Sequence, residues 1–334
     1  MIKPETLKEY SYTGRLAPII ARYVNEKRGL GLKFETGAKV LKNFDRFTRT
    51  MDFKDEILPK ELVLAYTAKR PDEKDSNRYH RIAVIKGFAE YMRRCGYDAY
   101  VPPPQRRRSR CSSFAPYIFS DDEIKRLFKA ADSIEPNHHN KQVCLAAPLF
   151  FRMLYSCGLR ESEAAFLTVS DVDLASGVIR IAETKFNKSR YVPMSESLWR
   201  MCVAYAEGVH LSSSAAEPFF RNRRNEFFSP SAVYDMFRKL LWNAGISHGG
   251  KGKGPRIHDL RHTFAVHCLK KWSQSGMDLT VALPYLSAYL GHTGLYASQK
   301  YLRLTADVFP HVAELLNERF GDLIPEKGGE IYGG

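Results

Sequence analysis

Four short stretches of the chain carry side chains that could do chemistry together. "GLRESE" places Arg160 behind a glycine at a helix boundary, with Glu163 three positions on. On an ordinary helix that spacing makes a solvent-exposed ion pair. "TKFNK" holds Lys185 in the turn between two strand-like runs, where most lysines are simply solvated. "RIHDLRHTFAVH" puts His258 and Arg261 at i and i+3 on one helix face, and His258 and His262 at i and i+4. The i, i+4 pair has the spacing of two zinc ligands but lacks the glutamate of an HExxH motif, so the pattern argues against metal-assisted hydrolysis. The last stretch, "LGHTGLYASQKY", contains His292, then Tyr296, then Tyr301 nine positions after the histidine. Each stretch alone is a weak signal. Together they amount to cationic hydrogen-bond donors, imidazoles and a phenol able to act as a nucleophile.

The charge of the chain says what such groups would act on. The 334 residues carry a formal net charge of +14, which points to a polyanionic partner. Residues 1–115 hold +11 of it and residues 116–304 hold +7, whereas residues 305–334 carry −4. Nucleic acid is therefore expected on the first two blocks and not on the tail. Charge alone leaves DNA, RNA and anionic membrane open, but no apolar run approaches the roughly 20 residues needed to span a bilayer. The N-terminus lacks the apolar core of a signal peptide, so the cytoplasm is the expected compartment. Six scattered cysteines with no CxxC pair read as buried reduced thiols.

The elements that must position these residues follow from hydrophobic spacing. Residues 1–100 read as about four helices, with Leu16, Ile19, Ile20, Tyr23 and Val24 on the first and Thr36 as the cap of the second. A third opens at Pro59, and a fourth runs from Asn77 to about Cys95. Residues 101–115 form a Pro/Arg linker in which Pro102 to Pro104 stiffen the chain and Arg106, Arg107, Arg108 and Arg110 form a basic cluster. A new domain, 116–308, opens with the capping box of Ser120 and Glu123 in "SDDEIKRLF". Within it "GVIRIAE" and "SRYVPM" read as a hairpin, and Ser229 with Pro230 starts a later helix. "HGGKGKGPR", with Lys251 and Lys253, is a flexible basic loop. Residues 309–334 are expected to form a C-terminal helix and tail, with Val312, Leu315, Leu316 and Phe320 on one apolar stripe. That stripe packs either on its own domain or, in trans, on a neighbouring protomer.

In order and spacing, the elements "GLRESE", "TKFNK", "HDLR" and "LGHTGLYASQKY" resemble the tyrosine recombinase (phage integrase) family. The match is detailed over about residues 116–305, while the N-terminal block is similar in layout and charge only. The resemblance implies a mostly α fold with a small β-sheet: a helical, SAM-like core-binding domain joined to a mixed α/β catalytic domain, the two clamping double-stranded DNA. It implies a site-specific recombinase that cleaves and rejoins strands through a 3′-phosphotyrosyl intermediate, with Arg160, Lys185, His258, Arg261, His292 and Tyr301 as catalytic residues. In that scheme two guanidiniums, Arg160 and Arg261, hold the non-bridging oxygens as negative charge builds on them. Lys185 protonates the leaving 5′-oxygen, His258 acts as base or orienting group, and His292 hydrogen-bonds the phosphate from the start of the helix that carries Tyr301. Glu163 holds Arg160 from behind, and Tyr296 is a packing residue. Arg106, Arg107, Arg108, Arg110, Lys251 and Lys253 would contact DNA phosphates. Neither metal, ATP nor any other cofactor is implied, and four protomers would assemble on two sites.

Two further classes fit parts of this pattern: a type IB topoisomerase-like enzyme relaxing supercoils as a monomer, and an accessory DNA-binding protein without catalysis. The paired GLR and LGH elements favour a recombinase over the first, and occupancy of all six catalytic positions argues against the second. Glu161 stands where an apolar residue is usual, and Ala297 and Ser298 replace a common pair of threonines. With few residues before Arg15 no separate arm-binding domain is expected, which suits a mobile-element or chromosome-dimer-resolving recombinase acting on nucleoid DNA.

Overall fold

The computed structural model describes residues 9–53, 56–104, 116–136, 141–182, 189–250, 254–292, 300–302 and 304–305. The chain divides into two compact units, Met1–Ser113 and Phe114–Gly334, so the division falls within residues 101–115, just past the arginines. Lys185, Tyr296, the four linker arginines, Lys251, Lys253 and the apolar stripe of the tail lie outside the described residues.

The first unit contains α1 (Ala17–Gly29), α2 (Glu35–Thr48), α3 (Lys60–Thr67) and α4 (Asp75–Arg94). Their apolar faces converge because residues three and four apart lie on one side of a helix. Ile19, Ile20, Leu41, Phe44, Val63, Ile85, Phe88 and Met92 are buried there in one cluster. Thr36 is not the cap of α2. The residue before that helix is Phe34, in a left-handed conformation, with its ring edge-on to Tyr23, so aromatic packing sets the start in place of a hydroxyl.

The second unit begins with α5 (Asp121–Asp132), α6 (Lys141–Ser156) and the short α7 (Glu161–Ala165). A three-stranded antiparallel sheet follows, β1 (Val172–Asp173), β2 (Val178–Ile181) and β3 (Arg190–Pro193), in that spatial order. Ile179 pairs with Val192 and Ile181 with Arg190. Then come α8 (Glu196–Val209), α9 (Pro230–Asn243), α10 (Ile257–Gln274) and α11 (Leu279–Leu290). The cap of α5 is built as its sequence reads, with Ser120 Oγ accepting from the Glu123 N–H and the Glu123 carboxylate accepting from the Ser120 N–H. Ser229 caps α9 in the same way through the Ala232 N–H. The main core gathers Leu127, Phe150, Phe151, Ile179, Val192, Phe220, Phe237 and Leu260. A second cluster joins Val266 and Leu269 of α10 to Leu283, Leu286 and Leu290 of α11, and to Tyr301 and Leu304.

The structure is therefore mostly helical with one small sheet. No helix among the described residues is long and apolar enough to cross a membrane. The described cysteines are all free, but they are not all buried: Cys95, just past α4, is exposed.

Candidate active site

The site is built where three helix ends and one strand meet. Helix α6 ends at the Cys157–Gly158 turn, and Gly158 is in a left-handed conformation with φ +56°. A β-carbon there would lie 2.6 Å from Phe264 Cδ1 and 2.7 Å from Leu290 Cδ2, so only glycine lets α10 and α11 close over this turn. Arg160 follows two positions on, as the residue before α7. Glu163, three positions on, folds back on it: one carboxylate oxygen accepts the Arg160 backbone N–H at 2.9 Å and the other its guanidinium at 2.5 Å. This is not the exposed pair that i, i+3 spacing suggests. The Glu163 side chain is 9% exposed, whereas the Arg160 side chain remains 35% exposed.

Arg261 enters from α10 and is buried. Its guanidinium donates to the Gly158 carbonyl at 2.7 Å and to the Leu290 carbonyl at 2.5 Å, and lies 3.9 Å from Glu163. A third arginine joins them that the sequence reading did not single out. Arg190 of β3 donates to both oxygens of Glu163, at 3.0 and 2.8 Å, and through Nε to the Tyr289 carbonyl at 2.9 Å. Arg160 also reaches the Gly291 carbonyl at 3.4 Å. Three consecutive carbonyls at the end of α11, those of Tyr289, Leu290 and Gly291, thus each face a different guanidinium. The partial negative charge of a helix C-terminus favours this arrangement. Burial pushes the Glu163 carboxyl up, but the hydrogen bonds and charges of Arg190 and Arg160 outweigh it and hold the group near about 2. Burial together with the neighbouring Arg160 charge lowers Arg261 to about 10, which leaves it a cation at neutral pH.

His258 and His262 lie one turn apart on α10, their rings edge to face at 4.8 Å. His292 follows the left-handed Gly291 that caps α11. Tyr301 is buried with its phenol oxygen 3.1 Å from His262 Nδ1, and its ring is stacked on His292 at 5.8 Å between centroids. The cationic surroundings and burial keep all three imidazoles uncharged. Burial and the Arg261 and Arg160 charges lower His258 to about 4; burial and His258 lower His262 to about 3; burial and Arg261 lower His292 to about 4. Burial raises the Tyr301 phenol above its ordinary value, with Arg261 and Arg160 opposing. With the imidazole neutral, the His262 tautomer protonated at Nε2 leaves Nδ1 to accept the phenol's hydrogen bond.

The structure thus brings together Arg160, Glu163, His258, Arg261, His292 and Tyr301 within one unit, and adds Arg190 and His262. Both additions had a signal in the sequence. Strand alternation puts Arg190 on the same face as the buried Val192, and a guanidinium on a buried face needs a carboxylate. His262 was visible as the i+4 partner of His258, a spacing that here aims one ring at a phenol.

Three guanidiniums of different exposure, uncharged imidazoles and a seated phenol thus meet in one cluster. The sequence model of the phage integrase family matches residues 118–307, and the chain belongs to that family. It is similar to y4rE of Sinorhizobium fredii, named as an integrase/recombinase, with 31% identity over 88% of this chain and 94% of that protein. Identity to the tyrosine recombinase XerC of Oceanobacillus iheyensis is 28%, over 68% of this chain and 70% of that one. Among solved structures the fold resembles XerH site-specific recombinase bound to a palindromic difH substrate, with TM-score 0.63 and 18% identity, covering 93% of this chain and 99% of that one. The Tn1549 transposon integrase in complex with transposon right end DNA gives TM-score 0.61 and 15% identity over 91% and 99%. The chain is a tyrosine recombinase, an enzyme that cleaves and rejoins DNA at specific sites.

Proposed function

We propose that Tyr301 is the nucleophile of this recombinase. As its phenol passes a proton to His262 Nδ1, the oxygen bonds to the scissile phosphorus, the bond from phosphorus to the 5′-oxygen breaks, and Lys185 gives that oxygen a proton, leaving a 3′-phosphotyrosyl bond and a free 5′-hydroxyl. Rejoining reverses each step with the 5′-hydroxyl of another strand as attacker, so no outside energy source enters. Arg160 and Arg261 receive the non-bridging oxygens; the partial exposure of Arg160 gives the phosphate its way in, and Arg261 stays anchored on two carbonyls. His258 orients the phosphate, and His292 supports the Tyr301 ring and donates to the same phosphate. The seat of the phenol, 3.1 Å from His262 and stacked on His292 beside the arginines, is the observation that best supports this reading.

The domain roles belong to the same proposal. Residues 1–100 serve as the core-binding DNA-binding domain. The linker arginines Arg106, Arg107, Arg108 and Arg110 contact phosphates of double-stranded DNA, as do Lys251 and Lys253 of the basic loop. Protomers self-associate into a tetramer on paired sites, in the cytoplasm, with a mobile element or a chromosome dimer as the DNA exchanged. DNA trapped covalently on the protein in its native cell supplies the site by sequencing. On a duplex bearing it, Tyr301→Phe binds but yields no covalent adduct, and Tyr296→Phe retains adduct formation. Adduct formed by Tyr301→Phe removes Tyr301 as nucleophile.

A further inference from the structure

Arg190 stands out among the charged groups that the catalytic scheme leaves unused. Its side chain is 9% exposed, and Nε and both terminal nitrogens are engaged by the protein: Tyr289 O, Glu163 Oε1 and Glu163 Oε2. Three of its five N–H donors, one on each nitrogen, are thus committed to the protein. Its effect must pass through what it holds.

Glu163 is shared evenly. Oε1 accepts the Arg160 and Arg190 guanidiniums, and Oε2 accepts the Arg160 backbone N–H and the other Arg190 nitrogen. Half of the carboxylate's hydrogen bonds orient Arg160, and the other half stop the carboxylate from pivoting. We propose that Arg190 is a positioning residue for strand cleavage: by clamping Glu163 and the last turn of α11 together, it fixes where Arg160 presents its guanidinium to the phosphate. The proposal rests on the reading of Arg160 as a phosphate ligand.

Two observations favour positioning over a plain stabilising ion pair. Buried ion pairs add little net stability over apolar residues of similar volume, because desolvation cancels most of the attraction. Stability alone thus gives little reason to bury an arginine here. The site also makes room for it: a β-carbon on Gly291 would sit 2.9 Å from Arg190 Nη1 and 3.0 Å from its Cδ, so the glycine between Leu290 and His292 is the gap through which Arg190 reaches the helix end. A lysine would replace it only in part, since one ammonium lacks the planar fork that meets two carboxylate oxygens and a carbonyl at once. Among the described residues the other cation near Glu163 is Arg261, 3.9 Å away, and drawing it closer would pull it from the Gly158 and Leu290 carbonyls.

The test uses the full chain and the trapped-site duplex, made with a nick so that cleavage cannot reverse. Arg190→Met, Arg190→Lys, Glu163→Gln and the Arg190→Met/Glu163→Gln double variant are compared with Arg160→Ala for melting temperature, DNA affinity and single-turnover adduct rate. Arg190→Met is expected to bind DNA as the wild type does and to form adduct about 10²-fold more slowly, the usual cost of misplacing a catalytic group by roughly 1 Å. Arg190→Lys loses less. The double variant loses no more than Arg190→Met, because both changes break one unit. A 5′-bridging sulfur in the substrate does not restore the rate, since the defect lies at the non-bridging oxygens and not at the leaving group. If Arg190→Met fails to fold, Arg190→Lys carries the test, with the same substrate pattern expected. Wild-type cleavage by a folded Arg190 variant overturns the proposal, as does rescue by the sulfur substrate, which would place the effect at Lys185. An Arg160→Ala protein that cleaves normally overturns the underlying reading itself, a result distinct from a neutral Arg190.

Discussion

Replacing Gly158 with alanine tests whether the turn at the end of α6 is what holds Arg261 in place. Two costs fall on the folded state. A non-glycine residue at φ +56° pays roughly 1–2 kcal/mol for the left-handed conformation. The added methyl, 2.6 Å from Phe264 and 2.7 Å from Leu290, forces those side chains apart, and overpacking of this kind costs about 1–3 kcal/mol more. The sum is roughly 2–5 kcal/mol. In a domain the size of the second unit each kcal/mol lowers the melting temperature by about 2–4 °C, so its transition should fall by roughly 4–20 °C. Gly177 supplies the control. It has φ +69°, but a β-carbon there meets nothing nearer than Trp199 at 3.6 Å, so Gly177→Ala carries the conformational cost alone, roughly 1–2 kcal/mol. Calorimetry on the full chain reads both shifts. The same clash displaces the Gly158 carbonyl that accepts from Arg261, so Gly158→Ala should also slow adduct formation by about 10²-fold, while Gly177→Ala leaves it unchanged. If the two variants melt alike and both cleave at the wild-type rate, the close approach of α10 and α11 over Gly158 does not govern Arg261.

Replacing the leaving 5′-oxygen with sulfur makes protonation unnecessary, so Lys185→Ala should recover cleavage on that substrate while Arg160→Ala and Arg261→Ala stay inactive; a Lys185→Ala protein that stays inactive is not missing the acid. The three site imidazoles are held below their ordinary value of 6.5, to about 4, 3 and 4, so the unfolded chain binds more protons than the folded one below pH 6.5. Stability should therefore fall as pH drops from about 6.5 toward 4, and a His262→Asn/His292→Asn variant should show a shallower fall in melting temperature over that range. A slope unaltered by removing both histidines contradicts their being buried uncharged.

Much of the class of this protein is written in the order of its motifs. Arginine, lysine, histidine with arginine, and histidine with tyrosine recur along the second half of the chain at spacings that a local reading can see, and the positive charge of the first two blocks points to their substrate. Helix starts at Ser120 and Ser229 were legible for the same reason, since a cap is an interaction over three residues. The start of α2 was not, because a ring from α1 decides it. The same limit applies at the site. An arginine and a glutamate three apart look alike whether they face water or a core, and burial of Glu163 depends on β3, whose Arg190 lies 27 positions away. The end of α11 reaches Arg160 across 131 positions of chain. His262 could be seen beside His258, but that it meets the Tyr301 phenol follows only from how α10 packs against the residues around Tyr301. Sequence spacing determines which groups share a helix face or a strand face. Which faces then meet, and so which charge is buried against which, is decided by the packing of elements distant in the chain, where a buried carboxylate is tolerable only if several guanidiniums arrive together.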